Sequence, residues 1–265
     1  MRNIKLEIEY DGTNYCGWQI QSCTSYIVYR ISIQETLEKI LSKILQEKIK
    51  VIGSGRTDAG VHALAQVANF KTDSSIALEK LQNGLNALLP EDISINKVEE
   101  RSLDFHSRFS AKSKVYRYTI LNLPSRSAIL RNVVYFYPYS LDINLMRKQA
   151  RYLLGKHDFR SFCASKSGVK DTIRTIKKIS IRKICYPLSL PCRQAGAIRY
   201  PLLVIDIEAN GFLYNMVRNI VGTLIEIGRG KISQGSIKKI LYSRDRTLAG
   251  PTAPARGLCL VEVKY

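Results

Sequence analysis

Two hydrophobic periodicities alternate along this chain, and they do so twice in the same order. Ile4, Leu6, Ile8 and Tyr10 alternate with polar residues, the mark of a strand with one buried face. Ser32-Ile-Gln-Glu35 fits a capping box, and Ile33, Leu37, Ile40, Leu41, Ile44 and Leu45 then recur at helical spacing. Short strands are predicted over 50–53 and near 66–70, with a glycine-rich loop between them. A second helix is predicted over 78–89, stopped by Pro90, and Ile93, Ile95 and Val98 close the first half as a strand. The second half predicts a strand over 115–121, a helix over 142–154, strands over 173–184 and 202–208, an apolar helix over 212–227 and a strand over 258–263. A short extra helix over 236–242 precedes the last strand.

Each half reads β-α-β-β-α-β, the split βαβ order. The expected class is α+β: two ferredoxin-like, RRM-like units joined into one extended, mainly antiparallel sheet with helices on one face, the other face open to a ligand. The expected domains are 1–104 and 105–265. Thr24 to Ile31 and Pro187 to Tyr200 fit neither half.

Charge narrows the partners. The 265 residues carry a net charge of +19, and residues 101–200 hold 21 of the 41 basic but only 4 of the 22 acidic side chains. A positive field so concentrated points to a polyanion, and nucleic acid is the commonest one in the cytosol. No run of 18 apolar residues is present, and charges interrupt the N-terminal segment, so neither a membrane helix nor a signal peptide is expected and the expected location is cytoplasmic. Six cysteines without a C-x-x-C pair, and only three histidines, predict no metal site. The thiols are expected to be reduced and packed.

Four segments could carry chemistry. In Gly53-Ser-Gly-Arg-Thr-Asp-Ala-Gly-Val-His62, three glycines open a tight loop around one carboxylate, Asp58, two residues from Arg56. An aspartate in such a loop is commonly a turn former; the functional alternative is a nucleophile that a substrate can approach closely. The loop lacks the lysine of a phosphate-binding P-loop. Phe105-His-Ser-Arg-Phe109 precedes a strand in which Tyr116 and Tyr118 share a face among Lys112, Lys114 and Arg117. That pattern suits either base stacking with phosphate contacts or an edge strand with solvated cations. Ala164 to Gly168 has the composition of a phosphate-contacting or simply flexible loop. The apolar helix carries Arg218, which needs an anion or carbonyls; pairing with Asp58 is the functional reading.

These segments together resemble the tRNA pseudouridine synthase A family. The resemblance rests on Tyr10-Asp-Gly-Thr with Gly17-Trp-Gln19, Gly55 to His62, Phe105 to Phe109, Tyr116-Arg-Tyr118, Asp158-Phe-Arg-Ser-Phe162, Met216 to Gly222 and Thr252 to Leu258. It implies the pseudouridine synthase fold and a cofactor-free isomerase. The substrate would be uridine in the tRNA anticodon stem-loop, at positions 38–40. It makes Asp58 the nucleophile, Tyr116 the tyrosine that stacks on the target base, and Arg56 and Arg218 the active-site arginines. Phe105, His106, Ser107, Arg108, Phe109 and Ala164, Ser165, Lys166, Ser167, Gly168 fall on segments that contact RNA. It also implies a homodimer. The alternatives are a non-catalytic RNA binder with paired RRM-like sheets, which lacks the RNP1 pattern here, and a nucleotide-binding metabolic enzyme, which lacks a glycine fingerprint.

Overall fold

In a computed structural model the described residues are 1–20, 31–164, 169, 171–188 and 198–265. In chain order the elements are β1 (Arg2–Tyr10), α1 (Ile33–Leu45), β2 (Ile52–Gly53), β3 (His62–Thr72), α2 (Leu78–Leu88), β4 (Ile93–Arg101), β5 (Ser113–Leu121), β6 (Tyr135–Phe136), α3 (Ile143–Ala150), β7 (Gly155–Asp158), β8 (Ile173–Leu188), β9 (Ile198–Ala209), α4 (Met216–Gly228), α5 (Ser236–Ser243) and β10 (Leu258–Lys264). The class is mixed α and β, with one large, mostly antiparallel sheet and five α-helices among the described residues. Two compact units divide the chain: Met1–Lys114 with Cys259–Tyr265, and Val115–Leu258.

In the first unit the strands run β4-β1-β3-β10, with β2 beside β3. The alternation in β1 does what period 2 requires: Ile4, Leu6 and Ile8 are wholly buried while Glu9 faces out. Ser32 caps α1, its hydroxyl accepting from the Glu35 N–H at 3.1 Å, and Ile33, Leu37 and Leu41 are buried. β10 pairs with β3 in parallel, Cys259 opposite His62. Local pattern places the last strand with the second half of the chain; its partner is set by tertiary structure, and it closes on the first unit.

Buried amides lock this sheet to the segment after β4. Asn3 Nδ2 donates to the carbonyls of Ser102 and Phe105 at 2.9 Å, and Asn69 Nδ2 donates to Asn3 Oδ1 at 2.9 Å. Asn69 Oδ1 in turn accepts from the Ser107 N–H at 2.9 Å. Tyr265 on the C-terminal side donates to the Ser107 carbonyl at 2.8 Å. Each polar group buried here has a partner, so the network costs little and fixes one register.

In the second unit the order is β5-β9-β8-β7, with β6 parallel to β5. β6 and β7 are too short to show a period in the sequence. β8 and β9 pair from Ile176 opposite Ala209 out to Leu188 opposite Ile198, so the strands run into the segment read as an insertion; residues 189–197 lie outside the described residues. α4 begins at Met216 and not at Phe212. Asn215 adopts a left-handed φ of 61° and the Met216 N–H bonds the Leu213 carbonyl, so residues 212–215 form a turn. The α4 helix is buried nearly all round. Gly222 sits where a Cβ would stand 1.7 Å from the Pro251 carbonyl oxygen, so this contact excludes any side chain.

Among the described residues no helix is long and apolar enough to cross a membrane, and no group of three or more His, Cys, Asp or Glu side chains could hold a metal ion. The reading of the thiols as packed is corrected in part. Cys163 is buried, Cys16 and Cys259 are half-buried, and Cys185 is exposed because it faces outward on β8; Cys23 and Cys192 lie outside the described residues.

The amide network makes a stability prediction. Asn69→Ala leaves Asn3 Oδ1 and the Ser107 N–H without their bonds, and it should destabilise the chain by about 1–3 kcal/mol. Urea denaturation measures this, and an unchanged midpoint would contradict it.

Candidate active site

Asp58 lies in an irregular segment between β2 and β3, so helix or strand bonds do not hold it. Other groups do. Ser54 N–H bonds the Val67 carbonyl at 2.7 Å, and Ser54 Oγ donates to Gln66 Oε1 at 2.7 Å. Gln66 Nε2 donates to the Gly55 carbonyl at 2.9 Å, and Lys114 Nζ donates to the Ser54 carbonyl. Trp18 N–H donates to the Thr57 carbonyl at 3.0 Å, and the Val61 N–H to the Asp58 carbonyl at 3.1 Å. The carbonyls of residues 54, 55, 57 and 58 are therefore all engaged. Asp58 itself is half-buried, between buried Thr57 and exposed Ala59, and Arg56 is exposed.

The segment Tyr10 to Trp18 buttresses this loop. The β1–β3 register slips by one residue between Ile8 and Tyr10, putting Tyr10 opposite Ala63. The Tyr10 hydroxyl meets Thr57 Oγ1 at 2.8 Å. Burial pushes that phenol above its ordinary range, so it stays neutral and keeps the bond. Asp11 accepts from the Thr13 N–H at 3.0 Å, and His62 Nδ1 lies 3.0 Å from its carboxylate. Burial opposes ionisation of Asp11, but the Thr13 bonds and His62 outweigh it and hold the carboxyl below its usual value. Gly17 has φ +101°, and a Cβ there would stand 2.6 Å from the Thr57 carbonyl oxygen. None of these roles was assigned from sequence; the signal was the polar, glycine-bearing Tyr10-Asp-Gly-Thr and Gly17-Trp pattern, which fits no strand or helix.

Phe105 to Phe109 splits into two sets. Phe105 and Ser107 are buried and anchored by the asparagine network. His106 and Arg108 reach toward solvent, and Phe109 is 77% exposed, with its ring 4.3 Å from that of His106 and the Arg108 guanidinium 5.8 Å from its centroid. His106 Nδ1 accepts from the N–H groups of Arg108 and Phe109, fixing this turn.

In the second unit Tyr116 is 6% exposed and its ring meets Phe212 edge-on at 5.0 Å. Tyr118, read as a surface aromatic among cations, is wholly buried and donates to the Pro254 carbonyl at 2.8 Å. The correction has a simple cause: the face that Tyr116 and Tyr118 share is the packed one. Arg117 pairs with Asp206 at 2.7 Å rather than standing solvated.

Arg218 donates through Nε to the Ala253 carbonyl at 2.7 Å and through Nη1 to Asn215 Oδ1 at 2.9 Å, while its own carbonyl accepts from the Ala253 N–H at 3.1 Å. Beside it Asn219 gathers three segments. Its Nδ2 donates to the Phe162 carbonyl at 2.8 Å, and its Oδ1 accepts from Thr252 Oγ1 at 2.7 Å and Arg246 Nη2 at 2.9 Å. Sequence reasoning passed over Asn219 and Arg246; a wholly buried amide on an apolar helix was the available signal. Ala164 bonds the Tyr214 carbonyl through its N–H at 3.1 Å, and Ser165, Lys166, Ser167 and Gly168 lie outside the described residues.

Several of the segments tied together within each unit are among those on which the resemblance rests. The profile of the tRNA pseudouridine synthase family matches residues 7–110 and 149–265. The chain belongs to that family. The tRNA pseudouridine synthase A of Clostridium acetobutylicum is 48% identical over 265 residues, covering 100% of both chains. Enzymes of the same name from Caldicellulosiruptor bescii and Thermoanaerobacter sp. are 46% and 45% identical, again over 100% of each chain. Among solved structures, a Cas6 product complex aligns over 98% of this chain with a TM-score of 0.21 and 11% identity. Family membership makes the protein an isomerase acting on tRNA uridine.

Gly17→Ala should push the Trp18 segment off the Asp58 loop, because its φ and its contact with Thr57 both exclude a Cβ. We expect pseudouridine formation in a tRNA assay to fall while circular dichroism stays native. Wild-type turnover in that variant would show that the buttress does not matter.

Proposed function

We propose that this isomerase converts uridine to pseudouridine in the anticodon stem-loop of tRNA, at positions 38–40, with Asp58 as the nucleophile. The observation that supports the reading is a half-buried carboxylate on a loop in which the carbonyls of residues 54, 55, 57 and 58 are tied down. The reaction breaks the N1–C1′ bond, turns the base and joins C1′ to C5, which loses its proton as N1 gains one. Atoms and oxidation state are conserved, so the chemistry requires an ionised nucleophile and a pocket that retains the detached base.

Tyr116 stacks on the target base, and Arg56 and Arg218 are the active-site arginines. The bonds from Arg218 to Ala253 and Asn215 support a fixed guanidinium. The uridine must leave its stack, at a cost of about a few kcal/mol that stacking and phosphate contacts repay. The exposed Phe109, backed by His106 and Arg108, is suited to that work, and Phe105 and Ser107 hold it in place. Ala164 to Gly168 is a further segment that contacts RNA. The N-terminal domain, 1–104, carries the nucleophile, and the C-terminal domain, 105–265, carries the basic surface. The enzyme works as a cytoplasmic homodimer.

Asp58→Asn should keep tRNA binding and abolish pseudouridine formation, read by carbodiimide-primer extension; full activity would remove the nucleophile role. Binding should be electrostatic in origin. Log affinity for tRNA should fall linearly with log salt, by about 0.7–0.9 per phosphate neutralised, and a flat plot would refute this.

A further inference from the structure

One charged side chain lies against the Asp58 loop without belonging to it. Lys114, near the start of β5, donates from Nζ to the Ser54 carbonyl, and a Cβ built on Gly55 would stand 3.1 Å from that nitrogen. The ammonium is thus packed on two consecutive loop residues. In the sequence Lys114 reads as a solvated edge-strand cation, yet its side chain is drawn inward. Withdrawing an ammonium from water is costly, and one carbonyl repays only part of that. Among the described residues the charge that bears on it is Arg108, which repels it. Burial first, and Arg108 second, lower the amine to about 8. An expensive cation held in this place calls for a function.

We propose that Lys114 is a positioning residue of the isomerase, whose ammonium holds the Ser54 carbonyl and so sets the path of the loop four residues ahead of Asp58. The inference rests on the reading of Asp58 as nucleophile. Ser54 and Gly55 are held by a pair of donors, Lys114 on the first carbonyl and Gln66 on the second. Gly53 and Gly55 have no side chains with which to stabilise their own turn, so the path depends on these outside donors. Loss of the ammonium proton leaves a neutral donor, and a neutral bond is about half as strong as a charge-assisted one.

The pH signature has a sign that separates aim from stability. Below about 8 the ammonium is present; as pH rises through that value it becomes an amine, and kcat should fall. Fold stability should move the other way. The unfolded chain keeps this proton up to the ordinary lysine value of 10.5, so between about 8 and 10.5 the folded state gains as pH rises. A fall in kcat over that interval is therefore not unfolding driven by the titration of Lys114.

The test measures kcat and KM on tRNA from about pH 7 to about 9.5 for wild type, Lys114→Met and Lys114→Arg, with Asp58→Asn alongside. We expect Lys114→Met to lose about tenfold or more in kcat at unchanged KM, and to lose the step near pH 8. Lys114→Arg, whose guanidinium stays charged, should restore turnover and carry it to higher pH. Uridine ionisation is common to all three enzymes, so differences between the profiles are what count. Wild-type kcat in Lys114→Met, a loss confined to KM, or an alkaline limb in Lys114→Arg that overlays the wild type would each overturn the inference. Should Lys114→Met fail to fold, the Lys114→Arg profile decides by itself. An active Asp58→Asn overturns the nucleophile reading instead; an inactive one beside a normal Lys114→Met overturns this inference alone.

Discussion

The chain around Asp58 has no helix or strand to hold it. The bonds to the carbonyls of Ser54, Gly55, Thr57 and Asp58 take that place. Their donors come from Lys114, Gln66, Trp18 and Val61, so a loop built of small residues inherits rigidity from its surroundings. Glycine makes the loop accessible; the outside donors make it specific. Preorganisation of this kind is a general source of enzymatic rate.

The same device recurs in each unit. Asn3 with Asn69 in the first unit, and Asn219 in the second, are buried amides that bond several separated segments at once. Apolar packing alone tolerates a shifted neighbour, whereas an amide with all its bonds made does not. The aromatic and cationic residues offered for RNA thus stand on anchored backbone: Phe109 beside buried Ser107, and Arg218 beside buried Asn219.

Much of this was legible in the amino-acid order, because strands and helices announce themselves through periods set by local geometry. β1, α1 and α2 fall where the pattern places them, within a residue or two, and β4 starts at Ile93 as read but runs on to Arg101. The errors came where side chains serve tertiary contacts. Phe212 and Leu213 look like the start of a helix, but Asn215 breaks the helical path ahead of Met216, and Phe212 packs on Tyr116. Tyr118 looks like a surface ring among cations, but its face is the packed one. Lys114 shows the limit most plainly: nothing in its neighbours distinguishes it from a solvated lysine, and only the fold brings Ser54 to it across 60 residues.

By itself the sequence determined the class of fold, the basic character of the middle of the chain and the family, since period, charge and the glycine-rich octet are all local properties. Tertiary structure alone decided which strand the last segment joins, which half of Phe105 to Phe109 faces outward, and which donors grip the Asp58 loop. Those are contacts between residues far apart along the chain. Their partners depend on packing that no local pattern encodes.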